Sequence, residues 1–183
     1  MPRIMIIRHA EKHTDGGLGR GVNIDGIHTK HELTVRGWQR AGALAPFFAH
    51  PAGIPADAPI STPRSIFASA STKQSPSLRP QHTVQPLAAL LRIQIDTNHA
   101  CGQEAAVAAA AVAAAQPALI VWHHSHIPEL ARYVAGGQLA CPDHWPDDRF
   151  DVVWILDRPD SSVSWTFTQV TQRLFANDRH EPI

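Results

Sequence analysis

The chain has 183 residues, 44% of them hydrophobic and 17% charged, a globular composition that excludes a disordered chain. Sixteen basic residues balance sixteen acidic ones, so net charge argues against nucleic acid or an anionic membrane as partner. No apolar run approaches the roughly 20 residues that span a bilayer. No signal-peptide h-region precedes "IMII", and Cys101 and Cys141 have no C-x-x-C partner. The expected location is cytoplasmic, with two free thiols and a single disulfide as the alternative.

Ile4–Ile7 is a short continuous apolar run, the pattern of a strand buried on both faces. The Gly-, Asp- and Thr-rich stretch His13–Glu32 is a long loop, and long loops in compact domains are often functional. Val35, Trp38, Ala41, Ala45 and Phe48 then recur at helical spacing, with Thr34 as N-cap. Pro51, Pro55 and Pro59 punctuate a connection. Ile66–Ser69 reads as a second strand, left through a loop carrying Arg79 and His82, and Val84, Leu87, Leu90 and Leu91 mark a second helix. "GQEAAVAAAAVAAA" is a third helix by propensity. "ALIVW" is a third buried strand, and Ile127–Tyr133 is helical, closed by Gly136-Gly137. "DVVWIL" and "SVSWTFTQV" flank a turn-rich segment and suggest an antiparallel hairpin at the sheet edge. Strands alternating with helices predict an α/β fold, a three-layer α/β/α sandwich with a mixed, mostly parallel sheet, as one domain over residues 1–183.

In open α/β sheets ligands bind beyond the carboxyl ends of the parallel strands. Arg8-His9 follows the first predicted strand, Arg79 follows the second, and His123-His124-Ser125-His126 follows the third. Guanidinium forks and imidazoles converging on one sheet edge suit a dianionic phosphoryl group. A neutral imidazole can attack phosphorus, and flanking arginines lower its pKa and stabilise the charge of an in-line transfer. No metal or other cofactor is required. His123, His124 and His126 could instead be a metal cluster, but no cysteine or paired carboxylate stands beside them. Arg36 and Arg40 read as a solvated helix face, and Trp38, Trp122, Trp154 and Trp165 as core.

"RHAEK" after a first strand, then "LTVRGWQRAGALA", "SPSLRPQHTVQPLA" and "LIVWHHSHIPELA", resemble the histidine phosphatase superfamily, the phosphoglycerate-mutase-like fold. The motifs stand in family order and cover most of the chain. His82 stands where the second motif usually has glutamine, and Ala10 where many members have glycine. The resemblance implies that His9 is the phosphorylated nucleophile and that Arg8 and Arg79 clamp the phosphoryl oxygens. A second histidine completes the pocket: the W-x-H-x-x-I-P register favours His124, and counting back from the following helix selects His123. The family's acidic residue has no clear match. Glu104 is the nearest candidate, and it also sits where a first-turn glutamate favours the helix dipole.

The implied activity is a phosphatase acting on a small phosphorylated substrate through a phosphohistidine, in a pocket that phosphate or sulfate would also fill. A mutase is the first alternative, although the chain is short for the cover that excludes water from a phosphoenzyme. A non-catalytic binder of phosphorylated ligands is the second. Asp15 and Asn23 are candidate substrate contacts, and Ala140–Phe150 with Trp145 is expected to frame the substrate side.

Overall fold

The structure, a computed structural model, describes residues 2–13, 19–49, 60–160 and 164–183. Asp15, Pro51, Pro55, Pro59 and Val163 lie outside the described residues. The strands are β1 (Arg3–Arg8), β2 (Ser65–Ala68), β3 (Ile95–Asp96), β4 (Ala118–Trp122), β5 (Val152–Asp157) and β6 (Thr166–Thr171). Between them run helices α1 (Val35–Phe48), α2 (Arg79–Leu91), α3 (Glu104–Ala113) and α4 (Ile127–Ala135). The described strands form one sheet in the order β3-β2-β4-β1-β5-β6. β1 and β2 each lie parallel to β4, and β2 is parallel to β3, whereas β5 is antiparallel to both β1 and β6.

Side chains alternate across a strand, and the packing follows that period. Ile4 and Ile6 of β1, Ala118, Ile120 and Trp122 of β4, and Val152, Trp154 and Leu156 of β5 pack with α3 and α4. Met5 and Ile7, Leu119 and Val121, and Val153 and Ile155 pack on the other face with α1 and α2. Two helix layers on a mixed sheet make the expected three-layer sandwich. The same alternation explains why β1, β4 and most of β5 read as unbroken apolar runs: both of their faces are covered. Edge strand β6 instead has a graded pattern, with Thr166 and Thr168 exposed.

This topology places a crevice. The chain leaves β1 toward α1 on one face and leaves β4 toward α4 on the other. The carboxyl ends of these two adjacent parallel strands are thus a topological switch point, where α/β folds bind ligands.

Thr34 caps α1 as expected, its Oγ1 accepting from the Gly37 amide at 3.1 Å and donating to the Glu11 carbonyl at 3.2 Å. Gly37 is required there, because a Cβ would meet the Glu11 carbonyl oxygen at 2.5 Å. Arg40 departs from expectation. It is buried, on the helix face it shares with Gly37, Ala41 and Leu44. Its Nε donates to both Glu11 carboxylate oxygens at 3.0 and 3.1 Å. Its Nη1 and Nη2 donate to Asp178 at 3.1 and 2.6 Å, and Nη1 also to Gln172 at 2.9 Å. Helical periodicity cannot reveal this, because the partners lie at the two ends of the chain. Arg36 also leaves the solvated face, bonding Glu11 and lying over the Phe175 ring. Trp122 and Trp154 are core, as expected. Trp38 is only half-buried, and Trp165 lies beneath Arg158.

Candidate active site

The His9 amide donates to the Trp122 carbonyl at 3.2 Å, extending the β1–β4 ladder one residue past β1. The next amide, of Ala10, donates to Thr83 Oγ1 of α2 at 2.8 Å. His9 is therefore held by backbone from two directions before its side chain is considered. Its Nδ1 lies 2.8 Å from the Ala10 carbonyl oxygen, which can only accept, so Nδ1 carries the proton and Nε2 keeps its lone pair. That is the tautomer a nucleophilic imidazole needs. Burial holds the His9 pKa well below 6.5, helped by Arg8, His123 and Arg79 and opposed only by the Ala10 hydrogen bond.

Arg8 is almost fully buried. Its Nη1 donates to the carbonyls of Pro146, Asp147 and Arg149 at 3.3, 2.6 and 3.1 Å, and its guanidinium lies 3.9 Å from the Phe150 ring centroid. Burial lowers its pKa to about 10, against the pull of Asp147 and Asp148, so it stays charged at neutral pH. Its Nε and Nη2 are buried with no hydrogen-bond partner. A native protein seldom leaves such donors unmet, and a ligand is one way to meet them.

The structure sorts the adjacent histidines. His123 lies edge-on to His9, ring centroids 5.8 Å apart, with its buried Nε2 lacking a partner. His124 turns to Asp147 instead, Nε2 to carboxylate at 2.5 Å. Consecutive residues leaving a strand face opposite ways. Both pKa values fall to about 4. For His123 burial comes first and His126 and Arg79 reinforce it, while for His124 burial and Arg8 outweigh Asp147. His124 is thus a neutral donor to Asp147, on the Arg8 side of the crevice.

Arg79, read from sequence as a loop residue, is the first residue of α2. Its Nε donates to the Glu32 carbonyl at 3.2 Å and its Nη2 to the Lys30 carbonyl. Burial lowers its pKa, and Glu32 partly offsets that. Its charge reaches Arg8, His9 and His123. The neighbouring Glu32 carboxylate accepts from His82 Nδ1 at 2.6 Å, and the His82 ring packs on Trp38. His82, the unusual residue of its motif, thus helps seat the loop that holds Arg79.

Glu104 is buried at the first turn of α3. Its Oε1 accepts from Trp122 Nε1 and the Gly102 amide, both at 2.9 Å, and lies 3.1 Å from His126 Nδ1. Burial alone would raise its pKa, but these donors outweigh it and hold the carboxyl below its ordinary value. It is therefore ionised, a poor proton donor, and none of its contacts is with Arg8 or His9. Asn23 closes a turn, its Oδ1 accepting from the Asp25 and Ile27 amides. Within Ala140–Phe150, Trp145 is fully buried against Trp154, while the 146–150 stretch reaches the site as expected. The sequence placed this segment beside the site, but no motif marks the Phe150 ring and the three carbonyls as the groups that hold Arg8.

One buried and two half-buried imidazoles, all held neutral, make stability depend on pH. An unfolded chain protonates His9, His123 and His124 near 6.5, and the folded chain does so only much lower. Their stabilisation is complete above 6.5 and is lost as pH falls toward about 4. The Tm should fall over that interval. A His123→Gln/His124→Gln double variant should have a shallower slope of Tm against pH, measured by calorimetry, and an unchanged slope would refute the assignment.

No family model matches the sequence, and a search of curated proteins finds none similar to it. Solved structures do match. A mycobacterial glucosyl-3-phosphoglycerate phosphatase complexed with VO3 is 14% identical, with a TM-score of 0.52 over 91% of this chain and 96% of that one. A variant of the Entamoeba histolytica phosphoserine phosphatase in complex with phosphoserine is 14% identical, with a TM-score of 0.52 over 95% and 98%. The same enzyme with 3-phosphoglyceric acid is 15% identical, with a TM-score of 0.52 over 96% and 100%. At such identities the likeness is one of architecture, and the chain has the fold of these phosphatases.

Proposed function

We propose that the protein is a phosphatase that hydrolyses a small phosphomonoester through a phosphohistidine on His9. The observation that carries this reading is the set of unmet donors, Arg8 Nε and Nη2, buried beside an imidazole whose Nε2 lone pair is free. In this reading the Arg8 fork receives two phosphoryl oxygens and His9 Nε2 attacks in line. Arg79 adds charge stabilisation, and His123, rather than His124, completes the pocket. Water then hydrolyses the phosphoenzyme. The solved structures of like fold that hold VO3, phosphoserine and 3-phosphoglyceric acid support a phosphorylated small substrate.

Glu104 takes no proton-donor role here, since it is held ionised. Rates should therefore depend steeply on the leaving group. Aryl phosphates should be turned over much faster than alkyl ones, and Glu104→Gln should slow both equally. A selective loss on alkyl phosphates would restore Glu104 as the acid. A cavity of about 340 Å³ lined by His13, Arg20, His28 and Lys30 favours a substrate with a second anionic group. One of its residues also touches the site, the Lys30 carbonyl accepting from Arg79 Nη2. Among the described residues no helix is long and apolar enough to cross a membrane. Cys101 and Cys141 are free thiols, which fits the cytoplasmic location proposed for the enzyme.

The test is turnover of an aryl phosphate by purified protein in EDTA. Phosphate release insensitive to EDTA is the expected result, and loss of activity to the chelator would contradict a metal-independent reaction. Arg8→Lys keeps the charge but not the planar fork. It should lower kcat/KM by about 10²–10³-fold, the scale of losing one preorganised donor to developing charge. Tight phosphate binding with no turnover would instead favour a binder.

A further inference from the structure

A second cluster lies at the amino end of α3, among residues given no part in the transfer. Cys101 precedes the helix, Glu104 is its first residue, and His126 belongs to the single 3₁₀ turn before α4. One potential ligand atom from each, Sγ, a carboxylate oxygen and an imidazole nitrogen, lies within 4.8 Å of the others. Thiolate, imidazole and carboxylate are the three donor types of protein zinc sites.

The surroundings fit that use. Zinc bonds of about 2.0–2.3 Å put tetrahedral ligand atoms about 3.3–3.8 Å apart, so no pair has to close by more than about 1.5 Å, and Glu104 Oε1 and His126 Nδ1, 3.1 Å apart, are already near that spacing. Cys101 and His126 are only half-buried and can supply that movement. Glu104 need not move: Trp122 Nε1 and the Gly102 amide already orient its carboxylate, as outer-shell partners orient metal ligands. Gly102, at φ 92°, takes a backbone conformation that side-chain-bearing residues rarely adopt, and it turns the chain so that Cys101 and Glu104 serve one point. A thiolate and a carboxylate neutralise the dication, which lowers the cost of placing it against a buried helix start.

We propose that Cys101, Glu104 and His126 bind one zinc ion, with solvent in the fourth position. The ion would tie the turn before α3 to the turn before α4, two helices packed on the same sheet face. Binding replaces the Cys101 S–H bond by a zinc–sulfur bond, and that proton goes to solvent. The imidazole proton of His126 moves from Nδ1 to Nε2, freeing Nδ1 for the metal. The site stabilises the fold and is separate from the phosphoryl-transfer reading, which uses no metal.

Cobalt(II) is the probe, titrated into the full-length protein. One equivalent should give tetrahedral d–d bands and a thiolate-to-cobalt charge-transfer band, and zinc should bleach both. Cys101→Ser should abolish the charge-transfer band and weaken zinc at least about tenfold, since even outer-shell losses cost that much. Cys141→Ser should leave the band intact, and zinc should raise the Tm of wild type but not of Cys101→Ser. A charge-transfer band absent from wild type, kept in Cys101→Ser or lost in Cys141→Ser would overturn the proposal. Cys101→Ser, assayed in EDTA beside wild type, should still release phosphate from an aryl phosphate, so this site and the phosphatase reading fail independently.

Discussion

Replacing His9 by alanine should eliminate turnover, lowering kcat by at least about 10⁴-fold, or about 5.4 kcal/mol of transition-state stabilisation. The size follows from what the side chain supplies. A covalent nucleophile divides one difficult displacement into two easier ones, and no other group in the crevice can replace it. His123 has its ring centroid 5.8 Å from that of His9, but its backbone leaves β4, not β1, so it cannot move into the same line of attack. The variant should still bind inorganic phosphate, because the Arg8 donors remain, and it should fold, because the His9 amide, not its ring, bonds Trp122. Steady-state kinetics with an aryl phosphate, paired with phosphate binding by calorimetry, separates loss of chemistry from loss of structure. Retained turnover would remove His9 from the centre of the mechanism.

The largest stability effect should come from Arg40→Ala, at about 3–5 kcal/mol, the range for breaking a buried ion pair by removing one partner. Arg40 bridges Glu11, two residues after His9, to Asp178, near the carboxyl end of the chain. The Asp178 carboxyl is held below its ordinary value: burial would raise it, but the Arg40 hydrogen bond and charge together with the Phe175 and Leu174 amides outweigh burial. Alanine leaves the buried Asp178 carboxylate without its cation and Glu11 with the more exposed Arg36 alone. For a chain of this length the loss corresponds to a Tm lowered by about 6–20 °C. Because Glu11 also carries the carbonyl that receives Thr34, kcat/KM should fall as well. Converting Glu11 and Asp178 to their amides in the same chain should recover part of the stability. A decrease below about 1 kcal/mol for Arg40→Ala would show that the network is dispensable.

The parts of the molecule governed by local pattern were readable from the sequence. β1 and β4 are continuous apolar runs because both faces are covered, and Thr34 and Gly136 mark helix ends through their own chemistry. The position of Arg8-His9 at a strand end follows from the same logic. Features that depend on rotation or on distant partners were not readable. Two adjacent histidines look alike in sequence, and only the exit of the chain from β4 decides that His123 meets His9 and His124 meets Asp147. Two-residue β3 has too little pattern to see. Arg40 carries a charge on a helix and reads as solvated, yet its partners Glu11 and Asp178 are 29 positions before it and 138 after it. Trp145 fell within a loop segment and turned out to be core.

The central claim is that phosphoryl transfer passes through His9 Nε2, and trapping the intermediate tests it most directly. Wild-type protein mixed with an aryl phosphate in EDTA and quenched within the first turnover should carry one acid-labile phosphoryl group, located by peptide mapping on His9. The His9→Ala variant should carry none. Full turnover with no labelled histidine, or a label on any residue other than His9, would contradict the account.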